Sequence, residues 1–233
     1  MTITNTVPGR WAEGVGLVLG PLLLLAGVLT RLGADDFFPG QLAAYAAGSG
    51  RMVLSYSLFA AGIVLLWPAV TALARMIGAT RPGWAGWGLV LVLLGLFGRV
   101  FHAGVSHLAF HLVDVLGLDA AQRAVAATYG AFHVFKAVNV CIMAGWVVLA
   151  IGAYLARALG PVRCVALGLA AGLPLGVLKG SSDPVSLVAL AGLAVALVPL
   201  GVAVLREGPA PRWWAVGLTV ALIPAAFLLG MSG

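Results

Sequence analysis

Four histidines, all that the chain contains, lie within one stretch of an otherwise apolar sequence: His102, His107, His111 and His133. An imidazole titrates near neutral pH and serves as a general acid, a general base or a metal ligand. Because an ionisable side chain in or near a bilayer is costly, it marks a candidate functional site. The sequence therefore predicts a site in this stretch, although it does not indicate which reaction the site performs.

Three of the polar side chains have the spacing of a helical ligand face. His107, His111 and Asp114 are separated by four and three residues, which in a helix places them within about 60° of one another. Neutral imidazoles and a carboxylate are ligands for zinc and other divalent ions. The spacing predicts a metal site at these three residues, completed by His133 or by water.

A second pairing follows from the predicted helices on either side of a short loop near residues 116–120. Neighbouring helices joined by a short loop run antiparallel, so that residues whose numbers sum to about 236 lie at equal height. This register places His102 near His133. Histidines on neighbouring helices are also ligands of haem, and a haem site at these two residues is an alternative to the metal site.

A metal-free polar pocket is a third interpretation. In it His107, His111, Asp114 and His133 act as catalytic acids and bases. The residues expected to bind the substrate lie on the same two helices and are Arg99, His102, Tyr129 and Lys136. The two cations among them would hold an anionic group of a lipophilic molecule. The alternative is a purely structural role, in which the histidines hydrogen-bond a neighbouring helix and the cations reach for the headgroups.

The elements that position this site are predicted to be membrane-spanning helices. Of the 233 residues, 62% are hydrophobic and only 9% are charged, which is typical of an integral membrane protein. The apolar runs that are long enough to cross a bilayer are 12–32, 52–77, 84–113, 122–157, 162–179, 185–205 and 212–231. We therefore predict an all-α, multi-pass membrane bundle of about seven helices, forming a single domain over residues 1–233.

The charge distribution predicts how this bundle is oriented in a cell membrane. With a cytoplasmic N-terminus, the predicted inner helix ends carry seven basic and two acidic residues, and the outer ends carry four basic and five acidic residues. An excess of arginine and lysine marks cytoplasmic loops. The N-terminus is thus predicted inside and the C-terminus outside, across the cell inner membrane. The net charge of +6 is then a signal of topology, and no nucleic-acid partner is expected.

Two further patterns concern packing and the outer surface. Gly168, Gly172, Gly176 and Gly180 recur every four residues and form a small-residue face, which indicates tight packing within the bundle or a homo-oligomer seam. The mildly amphipathic stretch 41–47, after two aspartates and two phenylalanines, predicts a short interfacial helix near the outer mouth of the site.

The function expected from these features is that of a membrane-embedded enzyme. It would act on a lipophilic small molecule or lipid, for example by cyclisation or isomerisation of an isoprenoid-like substrate, in an outward-facing pocket between the third and fourth spans. The sequence contains no HExxH, GxSxG, Walker or CxxC motif, so common membrane proteases and ATP-driven pumps find no support. The alternative is a non-enzymatic protein, either transporter-like or binding haem or a metal.

Overall fold

The computed structural model of the chain describes residues 9–34, 37–128, 131, 133–172, 182–207 and 209–231. In this part of the chain all regular structure is helical and no strand occurs. The α-helices are α1 (Arg10–Thr30), α2 (Gly40–Ala47), α3 (Ser49–Gly78), α4 (Pro82–Leu116), α5 (Leu118–Thr128), α6 (Phe135–Leu155), α7 (Pro161–Gly168), α8 (Pro184–Arg206) and α9 (Trp213–Met231). A short 3-10 helix, Leu169–Gly172, continues α7.

Five of these helices are long and apolar enough to cross a membrane: α1, α3, α4, α8 and α9. Two shorter apolar helices, Val140–Leu155 within α6 and Pro161–Gly172, lie between them in the sequence. The finding confirms a helical protein whose composition is compatible with integration into a membrane. The count of seven spans and the orientation stay predictions.

Close antiparallel packing joins α1 to α3 and α4 to α6, and glycines permit the approach. A Cβ atom on Gly27 of α1 would lie 2.8 Å from the carbonyl oxygen of Ser55 on α3, and one on Gly95 of α4 would overlap the side chain of Ile142 on α6. Helices in lipid associate through such small-residue contacts, since the bilayer removes the usual hydrophobic drive. The main core is built from side chains of α1, α3, α4, α6, α7 and α8.

The helix expected over 122–157 is not continuous, and this part of the prediction is wrong. Residues 122–128 belong to α5, and α6 begins at Phe135. The break has a physical reason. Helix α5 is amphipathic, with Asp119, Gln122 and Arg123 among its residues, so that it suits the surface of the bundle better than the hydrocarbon of a membrane. The longest helices are α4 with 35 residues and α3 with 30.

A second, smaller core lies at one end of the bundle, which we call the α2–α5 end. There α4 extends past the main core, α2 and α5 pack against it and against each other, and α2 also packs against α3. The buried hydrophobic residues of this core are Leu42, Tyr45, Met52, Tyr56, Ala109, Phe110, Val113, Ala121 and Val125. A short helix is present where one was expected at 41–47, as α2, and it contributes Leu42 and Tyr45. Its position at a membrane interface stays a prediction.

Helix α9 has no buried side chain among its described residues.

The predicted glycine face has neighbours within the chain at two of its four positions. In the predicted glycine face, a Cβ atom on Gly168 would lie 3.6 Å from Ala150, and one on Gly172 would lie 3.6 Å from Val185, so both positions have neighbours within the chain. Gly176 and Gly180 lie outside the described residues, and the homo-oligomer stays a prediction.

Candidate functional site

His102 on α4 and His133, just before α6, form a pair at the interface of these two helices. Their ring centroids are 5.6 Å apart, with the ring planes inclined at 59°. The predicted register is thus confirmed. It holds along the whole interface, since Gly88 lies against Leu149 and Val92 against Gly145.

The tautomer of His102 follows from its hydrogen bond to the preceding turn of α4. Its Nδ1 atom lies 2.6 Å from the carbonyl oxygen of Gly98. Because a carbonyl oxygen only accepts, Nδ1 carries the hydrogen, and in the neutral ring the lone pair is on Nε2. This arrangement fixes the ring and suits Nε2 for accepting a proton or binding a metal. The Nδ1 atom of His133 is buried, and no atom of the described residues bonds to it.

Two phenylalanines frame this histidine pair. The ring of Phe101 lies 5.2 Å from that of His133 and stacks on Phe135 at 4.4 Å. On the surface beside them, Phe97, Phe101 and Val105 follow one another at intervals of four residues and are all exposed. Together they form an exposed apolar strip of α4 beside the histidine pair.

His107, His111 and Asp114 lie on another face of α4, at the α2–α5 end. Asp114 accepts a hydrogen bond from the phenol of Tyr45 on α2, at 2.7 Å. The Nδ1 atom of His111 lies 3.7 Å from the same carboxylate oxygen, and both side chains are more than half exposed. His107 instead faces the ring of Tyr56, at 6.5 Å and nearly perpendicular.

The eight predicted site residues therefore divide into separate groups. His133 lies with His102 and not with the predicted ligand face of His107, His111 and Asp114. Within the described residues, no group of three or more histidine, cysteine, aspartate or glutamate side chains is placed to hold a metal ion. The metal site and the haem site both stay predictions.

The predicted substrate-binding residues have different positions. Arg99 is buried and lines a small cavity between helices, together with Trp146 of α6. Tyr129 and the side chain of Lys136 lie outside the described residues. The role of Arg99 in holding an anionic group of a substrate stays a prediction.

Sequence reasoning missed a buried arginine near the α2–α5 end. Arg31, at the end of α1, is fully buried. Its Nη1 atom donates to the hydroxyl of Ser55 at 3.1 Å, and its guanidinium lies 4.2 Å from the centre of the Tyr56 ring. The available signal was the run Arg51, Ser55 and Tyr56 at the start of α3, which places polar and aromatic groups beside the end of α1.

The chain was compared with models of known protein families, with curated proteins and with solved structures. No match was found in any of the three comparisons.

Proposed function

We propose that this membrane protein is an enzyme that transfers protons on a lipophilic small molecule, with His102 and His133 as the reacting pair. The observation that carries the proposal is the distance of 5.6 Å between their ring centroids. The pair lies beside an exposed apolar face of α4, which we expect to contact lipid. A hydrophobic substrate would reach the pair from within the bilayer, without crossing a polar surface.

The chemistry needs two groups in opposite protonation states. A protonated His133 donates a proton to one carbon of a double bond in the substrate, and the Nε2 atom of a neutral His102 then accepts a proton from a carbon next to the resulting cationic centre. The double bond changes position, and proton exchange with water returns the two imidazoles to their starting states. Proton transfer by positioned side chains accelerates reactions by about 10²- to 10⁴-fold. Isomerisation of an isoprenoid-like lipid is a reaction of this class.

Phe101 and Phe135 support this assignment because their apolar rings lie beside the ring of His133. A lower local dielectric strengthens the interaction of an imidazolium with the electrons of a reacting double bond. The stacked rings also restrict the side chain of His133, which matters because catalytic groups act only in a narrow range of geometries.

Deuterium uptake tests the proposal without knowledge of the substrate. Purified protein in nanodiscs that contain lipids extracted from the host membrane is incubated in D₂O, and the lipids are examined by mass spectrometry. We expect one lipophilic species to gain deuterium at a carbon position. His102→Gln and His133→Gln should each lower the rate by about 10²-fold or more.

Gly104→Ala is the matched control, because a Cβ atom at Gly104 of α4 meets nothing within 4 Å. This variant should retain the full rate. Absence of any deuterated lipid with the wild-type protein, or equal rates in the histidine variants, would refute the proposal.

A second candidate is a non-enzymatic haem- or metal-binding protein, which the orientation of His102 favours. A histidine that ligates a metal through Nε2 almost always donates its other N–H to a carbonyl or carboxylate, as His102 does to Gly98. Protein purified without added metal or chelator should then carry a Soret band or a bound divalent ion, and His102→Gln should remove it. A colourless, metal-free preparation would rule out this candidate.

A further inference from the structure

A small cavity lies in the interior of the bundle, where α1, α3, α4, α6 and α8 meet. Its volume is about 20 Å³. Its apolar lining consists of Leu24, Phe59, Ile63, Leu66, Leu96, Ile142 and Leu190, and its polar lining residues are Arg99 and Trp146. A cavity needs a volume of roughly 10–15 Å³ to hold one particle of the size of a water molecule. The cavity therefore has room for a single small molecule or ion.

Trp146 gives the first indication of a guest. The side chain is fully buried, and its indole N–H has no hydrogen-bond partner within the described residues. Leaving such a donor unsatisfied in an apolar interior is unfavourable, because the donor has lost its hydrogen bond to water without gaining another. Trp146 also lines the cavity, so the unsatisfied donor belongs to a residue that borders this space.

The chemistry of the lining distinguishes an anion from a water molecule. The polar side chains around the cavity, a guanidinium and an indole, donate hydrogen bonds and cannot accept them. A water molecule would need acceptors for its own two hydrogens, and the side chains that line the cavity offer none. An anion only accepts. It also gains from the positive charge of Arg99, which is 6% exposed in surroundings of low dielectric.

We propose that this cavity is a binding site for a small monovalent anion of the halide class, held between the Trp146 indole and the Arg99 guanidinium. The size of the cavity excludes phosphate, sulfate and the headgroup of a lipid. The site is separate from the His102–His133 pair, and it does not depend on the proposed enzymatic function.

The experiment compares chloride with gluconate, which is too large for the cavity, at the same sodium concentration and ionic strength. Thermal unfolding of the detergent-solubilised protein is followed by circular dichroism while chloride replaces gluconate. Binding to the folded state raises the midpoint in a saturable way, and we expect on the order of 5 °C when chloride is about 100 times its dissociation constant. Bromide should act as chloride does.

Trp146→Phe removes the N–H donor and retains most of the aromatic volume. We expect this variant to lose most of the chloride-dependent shift, whereas Trp213→Phe, at an exposed position on α9, should retain it. Equal shifts in wild type and Trp146→Phe, or superimposable curves of the wild-type protein in the two salts, would overturn the proposal.

Anomalous diffraction from wild-type crystals grown in bromide gives a reading that needs no variant. A bromide peak within hydrogen-bond distance of Nε1 of Trp146 would support the site even if Trp146→Phe failed to fold. A map with no peak in the cavity would overturn it and leave water as the guest.

Discussion

Glu13 of α1 and Arg75 of α3 form a two-pronged ion pair across the helix interface, at the end of the bundle opposite α2 and α5. Nη2 of Arg75 donates to Oε2 of Glu13 at 2.7 Å, and Nη1 donates to Oε1. The two partners differ in environment, because Glu13 is 1% exposed and Arg75 is 44% exposed. The carboxylate therefore depends on the arginine far more than the arginine depends on the carboxylate.

This asymmetry makes a prediction about stability. Arg75→Met leaves a buried carboxylate without its cation, and we expect it to destabilise the protein by about 2 kcal/mol, less than for a fully buried pair because Arg75 is partly solvated. Glu13→Gln keeps an acceptor and should cost about 1 kcal/mol. Thermal unfolding in detergent measures both, with Arg81→Met at an exposed position as the control. A larger effect of Glu13→Gln would contradict this reading of the pair.

The glycine contacts between α4 and α6 make a second prediction. Gly95→Ala introduces a methyl group that would overlap Ile142, whereas the same change at Gly86 of the same helix meets nothing within 4 Å. Overpacking of this kind costs about 1–3 kcal/mol. We expect Gly95→Ala to lower the unfolding midpoint and Gly86→Ala to leave it unchanged or slightly higher, since alanine favours a helix. Equal midpoints would show that the helices pack less closely than described.

The pairing of His102 with His133 could be predicted from sequence because it depends on few quantities. Two apolar runs joined within the length of a hairpin must run antiparallel, and their register follows from the position of the connection. The register is kept although α5 lies between α4 and α6 in the sequence. The part of α4 that follows His102 is about as long as the segment from the end of α4 to His133, so the two histidines stay at equal height.

The partners of Asp114 and Arg31 could not be predicted in the same way. Tyr45 is 69 residues from Asp114 in the sequence, and it reaches the carboxylate only because α2 packs on the projecting end of α4. Arg31 is one of the four basic residues at the predicted outer helix ends, and its guanidinium is fully buried under the Tyr56 ring. Contacts of this type depend on which short helix covers which end of the bundle, and local patterns do not specify that choice.

The hydrogen bond from Tyr45 to Asp114 makes a prediction about pH. This bond, with burial and the carboxylate charge as smaller causes, raises the pKa of Tyr45 above its usual value of 10.0. The folded state therefore keeps the proton at pH values where the unfolded state has lost it. The stability that the bond contributes is complete below about pH 10, and it is lost as the pH rises through the raised pKa of Tyr45.

Absorbance at 295 nm, which reports tyrosinate, tests this prediction. Subtraction of the Tyr45→Phe titration from that of the wild-type protein isolates the transition of Tyr45. We expect Asp114→Asn to move this transition to lower pH, and Tyr154→Phe, at an exposed position, to leave it in place. A transition of Tyr45 that is the same with and without Asp114 would contradict the role of the carboxylate.

The last prediction concerns whether α9 crosses the membrane. α9 contains an apolar window of 18 residues, Trp213–Gly230, and none of its described side chains is buried, so that lipid contact is the environment its surface requires. Arg206 and Arg212 flank the connection from α8, which favours a cytoplasmic position for that connection. A reporter fused after Glu207 should therefore be cytoplasmic, and one fused after residue 233 should lie on the opposite side. If both reporters lie on the same side, α9 rests on the membrane surface, and the chain crosses the bilayer one time fewer than the seven spans predict.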